Sequence, residues 1–109
     1  MVIRKNEEAK PIEMVPGVTR RTLVNGDKTS LHELQMVPGA EVPLHTHPHE
    51  QTGYIASGRV VFQLGAEKRE LNAGDAYCVP GEVPHGVVAL EASVCVDTFS
   101  PVRTEYLED

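Results

Sequence analysis

The sequence predicts an all-β, single-domain β-barrel, and three observations carry that expectation. Turn signals recur at intervals of about eight to twelve residues, the spacing of sandwiches and barrels. The stretches between them lack helical periodicity and are rich in β-branched residues, as in Val60-Val61-Phe62-Gln63-Leu64. Nine glycines and eight prolines supply tight turns, and nothing requires a long helix. With 109 residues, 40% of them hydrophobic, the chain can close one core but not two. Residues 1–109 therefore form one domain, with an N-terminal arm over about 1–17 and a core over about 39–89.

The elements follow in order. The first ten residues are charged and irregular, suited to a frayed arm or an interface. Residues 19–24 have strand character, and Asn25-Gly26-Asp27 ends them in a turn. Residues 31–37 form the next strand, stopped by Pro38-Gly39. Residues 45–55 hold most of the chemistry. Ser57-Gly58 then turns the chain into 60–64, Gly65-Ala66-Glu67-Lys68 makes a polar tip, and 69–71 return. Ala73-Gly74-Asp75 leads into apolar 76–79, and Pro80-Gly81 and Val83-Pro84 bracket a loop. Residues 86–90 and 93–99 are the last strands, and 101–109 suit a short terminal turn or helix.

Charge narrows the partners. The formal net charge is -6, and the scattered Lys and Arg offer no basic stripe for nucleic acid. An anionic small molecule stays open as a ligand, because a bound cation reverses the local field. No run approaches about 18 consecutive apolar residues, so no membrane helix is expected. The N-terminus shows no signal-peptide pattern, and the expectation is a cytoplasmic protein. In that setting Cys78 and Cys95 are expected to be small buried thiols rather than a disulfide.

Four of the five histidines, His45, His47, His49 and His85, lie between positions 45 and 85. On an extended strand His45 and His47 project to one side, about 6–7 Å apart, and can converge on one ion. A lone His-x-His pair is common on solvated strands. Here Gln51 follows with the same parity, and His85 sits in a Pro/Gly loop. Imidazole nitrogen with an amide carbonyl suits one divalent transition metal ion, with Zn, Ni, Fe, Cu and Mn all compatible. His49, after Pro48, is expected at a pocket mouth or in solvent, and His32 as a satisfied structural histidine.

These residues resemble the cupin superfamily, a metal-binding jelly-roll barrel. Its first motif is matched by Gly39, His45-Thr46-His47, Gln51 and Gly58, with Gln in place of the usual Glu. Its second is matched by Gly74, Pro80 and His85, with Glu82 replacing a Gly and Ala89 an Asn. Within that superfamily the chain is similar to the KdgF family of small pectin-degradation cupins. That likeness rests on residues 45–51, Ser57-Gly58, Ala73-Gly74-Asp75 and Asp97-Thr98-Phe99-Ser100-Pro101-Val102-Arg103. It implies a three-His-plus-Gln metal site with Asp97, Phe99 and Arg103 beside it. The implied reaction converts a 4,5-unsaturated monouronate to the linear 5-keto-4-deoxyuronate.

The last strand is informative without the resemblance. Cys95, Asp97 and Phe99 share one face, and in a barrel one face points inward. An inward Asp97 is a carboxyl in a partly apolar cavity, fit for proton transfer or for a structural partner. Arg103 can reach back as a carboxylate clamp or lie exposed; Phe99 can contact substrate or fill core. Three neutral His and a neutral Gln leave a bound ion's charge of about +2 uncompensated. A missing carboxylate at ~5 Å and an effective dielectric near 20 is worth on the order of 3 kcal/mol toward an anion. The expected partner is thus an anionic small molecule, with a homodimer expected from strand edges that need covering. A metal-dependent dioxygenase and a non-catalytic sensor are the alternatives.

Overall fold

The computed structural model describes residues 1–106. Among them ten strands form two antiparallel sheets: β1 (Ile12–Val15), β2 (Val18–Asn25), β3 (Ser30–Met36), β4 (Glu41–His45), β5 (Glu50–Ser57), β6 (Arg59–Leu64), β7 (Glu67–Asn72), β8 (Ala76–Val79), β9 (His85–Ala89) and β10 (Ser93–Ser100). The larger sheet has the order β1-β2-β3-β10-β5-β8, and the smaller β4-β9-β6-β7. No helix among the described residues is long and apolar enough to cross a membrane.

The expected all-β class holds, but the barrel needs correction. The two sheets are not joined by ladder pairing, so the architecture is a jelly-roll sandwich rather than a closed barrel. Pro43 gives one reason. It lies within β4, lacks an N–H, and coincides with a register break between Val42 and His45, which confines β4 to an edge. At the other end of the larger sheet, β8 is only four residues long.

Strict alternation builds the core. In β2, β5 and β10 every second residue is buried over most of the strand, so each strand turns one face to the opposing sheet. Val18, Met36, Ile55, Val60, Val79 and Cys95 meet there. Burying each aliphatic side chain contributes about 1.5–3 kcal/mol. The same alternation corrects one cysteine. Tyr77 and Val79 of β8 point inward, so Cys78 is exposed, and only Cys95 is buried. Both are free thiols.

The N-terminal arm is more ordered than its sequence implies. Asn6–Glu8 form a single 3-10 turn, and β1 pairs with β2. The Asn6 amide donates to Glu33 of β3 (3.0 Å), and Arg21 donates to Asn6. β1 escaped notice because it is four residues long and exposed at its centre. The terminal turn appears at Thr104–Tyr106, while the last three residues of the expected 101–109 segment lie outside the described residues.

Candidate metal and proton-transfer site

His45 ends β4, His85 begins β9, and the two are paired across the small sheet. Their ring centroids are 4.3 Å apart. His47 does not share a strand with His45, contrary to expectation. It lies in the loop before β5, turned in because the Glu82 N–H donates to its carbonyl (2.8 Å). That contact holds Glu82 at φ 69, a left-handed conformation that favours glycine. Gln51 reaches the same spot from β5 in the other sheet. Its Oε1 lies 3.0 Å from His47 Nε2 and 3.1 Å from His85 Nε2, which are themselves 3.1 Å apart. The ligand atoms of His45, His47 and His85 all lie within 4.8 Å of one another.

The other ring nitrogens explain the orientation. Nδ1–H of His45 donates to the Pro43 carbonyl (2.9 Å), that of His47 to His49 (3.0 Å), and that of His85 to Val83 (2.9 Å). Backbone acceptors therefore fix all three tautomers and leave each Nε2 as a lone pair, the arrangement of a metal-ligating histidine. Burial lowers the basicity of His47 and takes His85 down to about 4, so both rings are neutral at pH 7. Two neutral Nε2 lone pairs at 3.1 Å with an amide oxygen beside them repel one another. A cation among them removes that repulsion. The donor set thus fits a divalent ion, which these four residues could hold.

Asp97 is adjacent and almost fully buried, at 2% exposure. Tyr77 O–H donates to its Oδ1 (2.5 Å), and the Gln51 amide also hydrogen-bonds to the carboxyl. With its N–H engaged there, the Gln51 amide turns its oxygen to the imidazoles. Burial pushes the Asp97 carboxyl above the usual carboxylate range, although Tyr77, Gln51 and Arg103 each pull the other way. A carboxyl tuned upward holds a proton more firmly than an ordinary one, which suits a group that must both take and return it. Sequence reading missed Tyr77. Its ring stacks on Phe62 with centroids 4.0 Å apart, and it fits only because position 53 is glycine. A Cβ there would lie 2.1 Å from the ring.

Phe99 is buried edge-on to His47 (5.4 Å). The Arg103 guanidinium covers the Phe99 ring at 4.9 Å, and its Nε–H donates to Glu105 (2.6 Å). Gln51, His85, Asp97, Phe99, Arg103 and the unforeseen Arg20 line one cavity of about 60 Å³. Arg20 is 4% exposed on the inward row of β2. Its alternation with Val18 and Thr22 was the available signal. His32 is structural as expected, bonded to Thr22 (3.1 Å) and Ser30 (2.7 Å). His49 is buried rather than solvated, with its ring edge-on to Phe99, and it is outside the three-histidine group.

The model of the cupin domain matches residues 32–98. The pectin degradation protein KdgF of Dickeya dadantii is 37% identical over 97 residues, 87% of this chain and 88% of that protein. This chain belongs to the KdgF-like cupins. The structure of KdgF from Halomonas sp. superposes on this cupin with a TM-score of 0.93 at 33% identity, covering 98% of this chain and 99% of the other. An RmlC-like cupin from Shewanella frigidimarina gives 0.90 at 28% identity, covering 94% and 93%. An H2HPP isomerase of Bacillus subtilis is 35% identical over 78 residues, 71% of this cupin and 33% of that protein.

Proposed function

We propose that this cupin is a metal-dependent isomerase that opens the ring of a 4,5-unsaturated uronate and yields the linear 5-keto-4-deoxyuronate. The observation that carries the reading is a buried carboxyl of raised pKa in a cavity that His45, Gln51 and His85 also line, with His47 converging on the same point. Kinship with a pectin degradation protein supports a sugar acid as substrate, and kinship with an isomerase supports internal proton movement. A divalent ion held by His45, His47, Gln51 and His85 supplies Lewis acidity toward substrate oxygens.

The protein's own groups do the rest. Asp97 as carboxylate takes the C1 hydroxyl proton while the bond from C1 to the ring oxygen breaks. The electron pair stays on that oxygen as an enolate, and C1 becomes an aldehyde. Asp97 as carboxylic acid then returns the proton to C4, and C5 becomes the ketone. Atoms and electrons balance within one molecule. Tyr77 holds the Asp97 carboxyl in place, Phe99 packs the ring, and Arg103 receives the substrate carboxylate.

The test is metal analysis of gently purified protein, followed by ultraviolet loss of the conjugated alkene on adding an unsaturated uronate. Asp97→Asn should lower turnover about 10²- to 10⁴-fold, the usual worth of a general acid-base, with metal content unchanged. A fully loaded wild-type protein that leaves the alkene absorbance untouched would end this reading.

A further inference from the structure

The cavity of the candidate site is closed in part by a segment that belongs to neither sheet. Thr104–Tyr106 form one 3-10 turn after β10, and Tyr106 lines the cavity with Gln51, His85 and Asp97. Its ring stands among inward residues of the larger sheet. The centroid lies 5.2 Å from that of the His32 ring and 6.2 Å from that of Phe99. The guanidinium carbons of Arg20 and Arg103 lie 3.7 and 4.6 Å from it. One aromatic ring therefore fills the space in front of β2, β3 and β10 at the donor end of the sandwich.

The free space left beside that ring is about 60 Å³, room for a few water molecules and too little for a six-membered sugar acid. Some part of the wall must move before such a ligand enters. The strands are locked by ladder hydrogen bonds, whereas the turn is not. Its backbone bond, from the Tyr106 N–H to the Arg103 carbonyl (3.0 Å), is internal. Toward the sheet, Thr22 Oγ1 donates to the Tyr106 carbonyl at 3.4 Å, and the Arg103 N–H donates to Ser30 Oγ at 3.5 Å. Both are long for hydrogen bonds. Arg20 also hydrogen-bonds to the Tyr106 side chain. The ring contacts are of a kind that another ring in the same place can make.

We propose that Tyr106 is a resident plug: its side chain occupies the place of the ligand's ring, and Thr104–Tyr106 swings out from Arg103 onward as the ligand enters. The plug rests on the uronate reading only for the identity of that ligand. Arg103 stays behind on the Phe99 ring, 4.9 Å from its centroid. A site that must open before it binds has an apparent affinity lowered by the fraction open. Removing the plug therefore tightens binding, whereas removing a platform on which the ligand stacks would weaken it.

The experiment is titration calorimetry of the metal-loaded protein with galacturonate, a saturated sugar acid that lacks the reacting alkene. Tyr106→Ala should bind it about fivefold or more tightly than the wild type, and Tyr106→Phe, which keeps the ring, within about twofold of it. Weaker or unchanged binding in Tyr106→Ala overturns the plug. The chain has no tryptophan, so Tyr106→Trp puts a single indole on the turn. Its emission should shift to longer wavelength at saturating galacturonate as the ring moves into water, and an unshifted emission overturns the plug. If Tyr106→Ala fails to fold by circular dichroism, that emission decides. Should neither wild type nor Tyr106→Ala take galacturonate, the uronate reading fails, and the plug is judged by the rate at which pyridine-2,6-dicarboxylate strips the ion. Loss about fivefold faster in Tyr106→Ala than in the wild type keeps it, and equal rates remove it.

Discussion

The two ends of the sandwich are built from the same strands and the same inward parity, yet they differ completely in chemistry. At one end the inward residues are Val18, Met36, Ile55, Val60 and Ala89, all buried and apolar. Moving along those strands, Val18 gives way to Arg20 and Thr22, Met36 to His32 and Ser30, and Ile55 to Gly53 and Gln51. β10 runs from Cys95 to Asp97 and Phe99, and β9 from Ala89 to His85. The ladder register lines these up. Thr22, His32, Asp97, Gly53 and Tyr77 form one row across the larger sheet, and Ser30, Phe99, Gln51 and Val79 the next. The apolar end supplies the burial that holds the sheets together. The polar end gathers the imidazole, amide and carboxyl groups of the candidate site.

That contrast can be broken from either side. The largest effect should come at Gly53, where the row leaves no room for a Cβ. Gly53→Ala should destabilise the protein by about 3 kcal/mol through overpacking against Tyr77, measured by urea unfolding.

Next comes acid. His32 is held at about 4, against an ordinary 6.5, by burial first and by Arg20 and Arg103 after it. The unfolded chain therefore binds a proton that the folded chain refuses between those values. Stability from this group is complete above pH 6.5 and is lost as pH falls toward 4. From pH 7 to 5 the loss is about 2 kcal/mol. His32→Gln should be less stable at pH 7 yet show a shallower acid slope in paired denaturation curves. Equal slopes would contradict it.

A smaller change is expected from Tyr77→Phe, which removes one hydrogen bond that lowers the Asp97 pKa. The Asp97 pKa should rise further, moving the acidic limb of the rate profile to higher pH and slowing turnover about tenfold, or ~1.4 kcal/mol. Smallest is Glu82→Gly. It should relieve the left-handed backbone at φ 69 and stabilise the fold by about 0.5–1 kcal/mol, read as a modest rise in Tm.

Much of this was legible in the chain. The strands from 18 to 99 were bounded to within a few residues because β-branched runs and Gly/Pro turns coincide there. The exception was β4, hidden by Pro43 at its centre. His45, His47, Gln51 and His85 were legible as a group because their spacing matches a motif, even though the supposed common strand of His45 and His47 proved to be a strand and a loop. Tyr77, Arg20 and Tyr106 were not. Each belongs to the site through a contact distant in sequence, Tyr77 with Asp97 and Arg20 with Tyr106, and no local pattern marks such a pair.

By itself the sequence determined the β class, the alternation that puts Asp97 and Phe99 on one face, and the His and Gln donor types. Those are properties of residue identity and of a two-residue period. Tertiary structure alone decided that the sheets stay open, that backbone carbonyls fix each imidazole tautomer, and that two arginines share one ring. Such outcomes depend on which strands become neighbours, and neighbours are chosen by the packing of the whole chain.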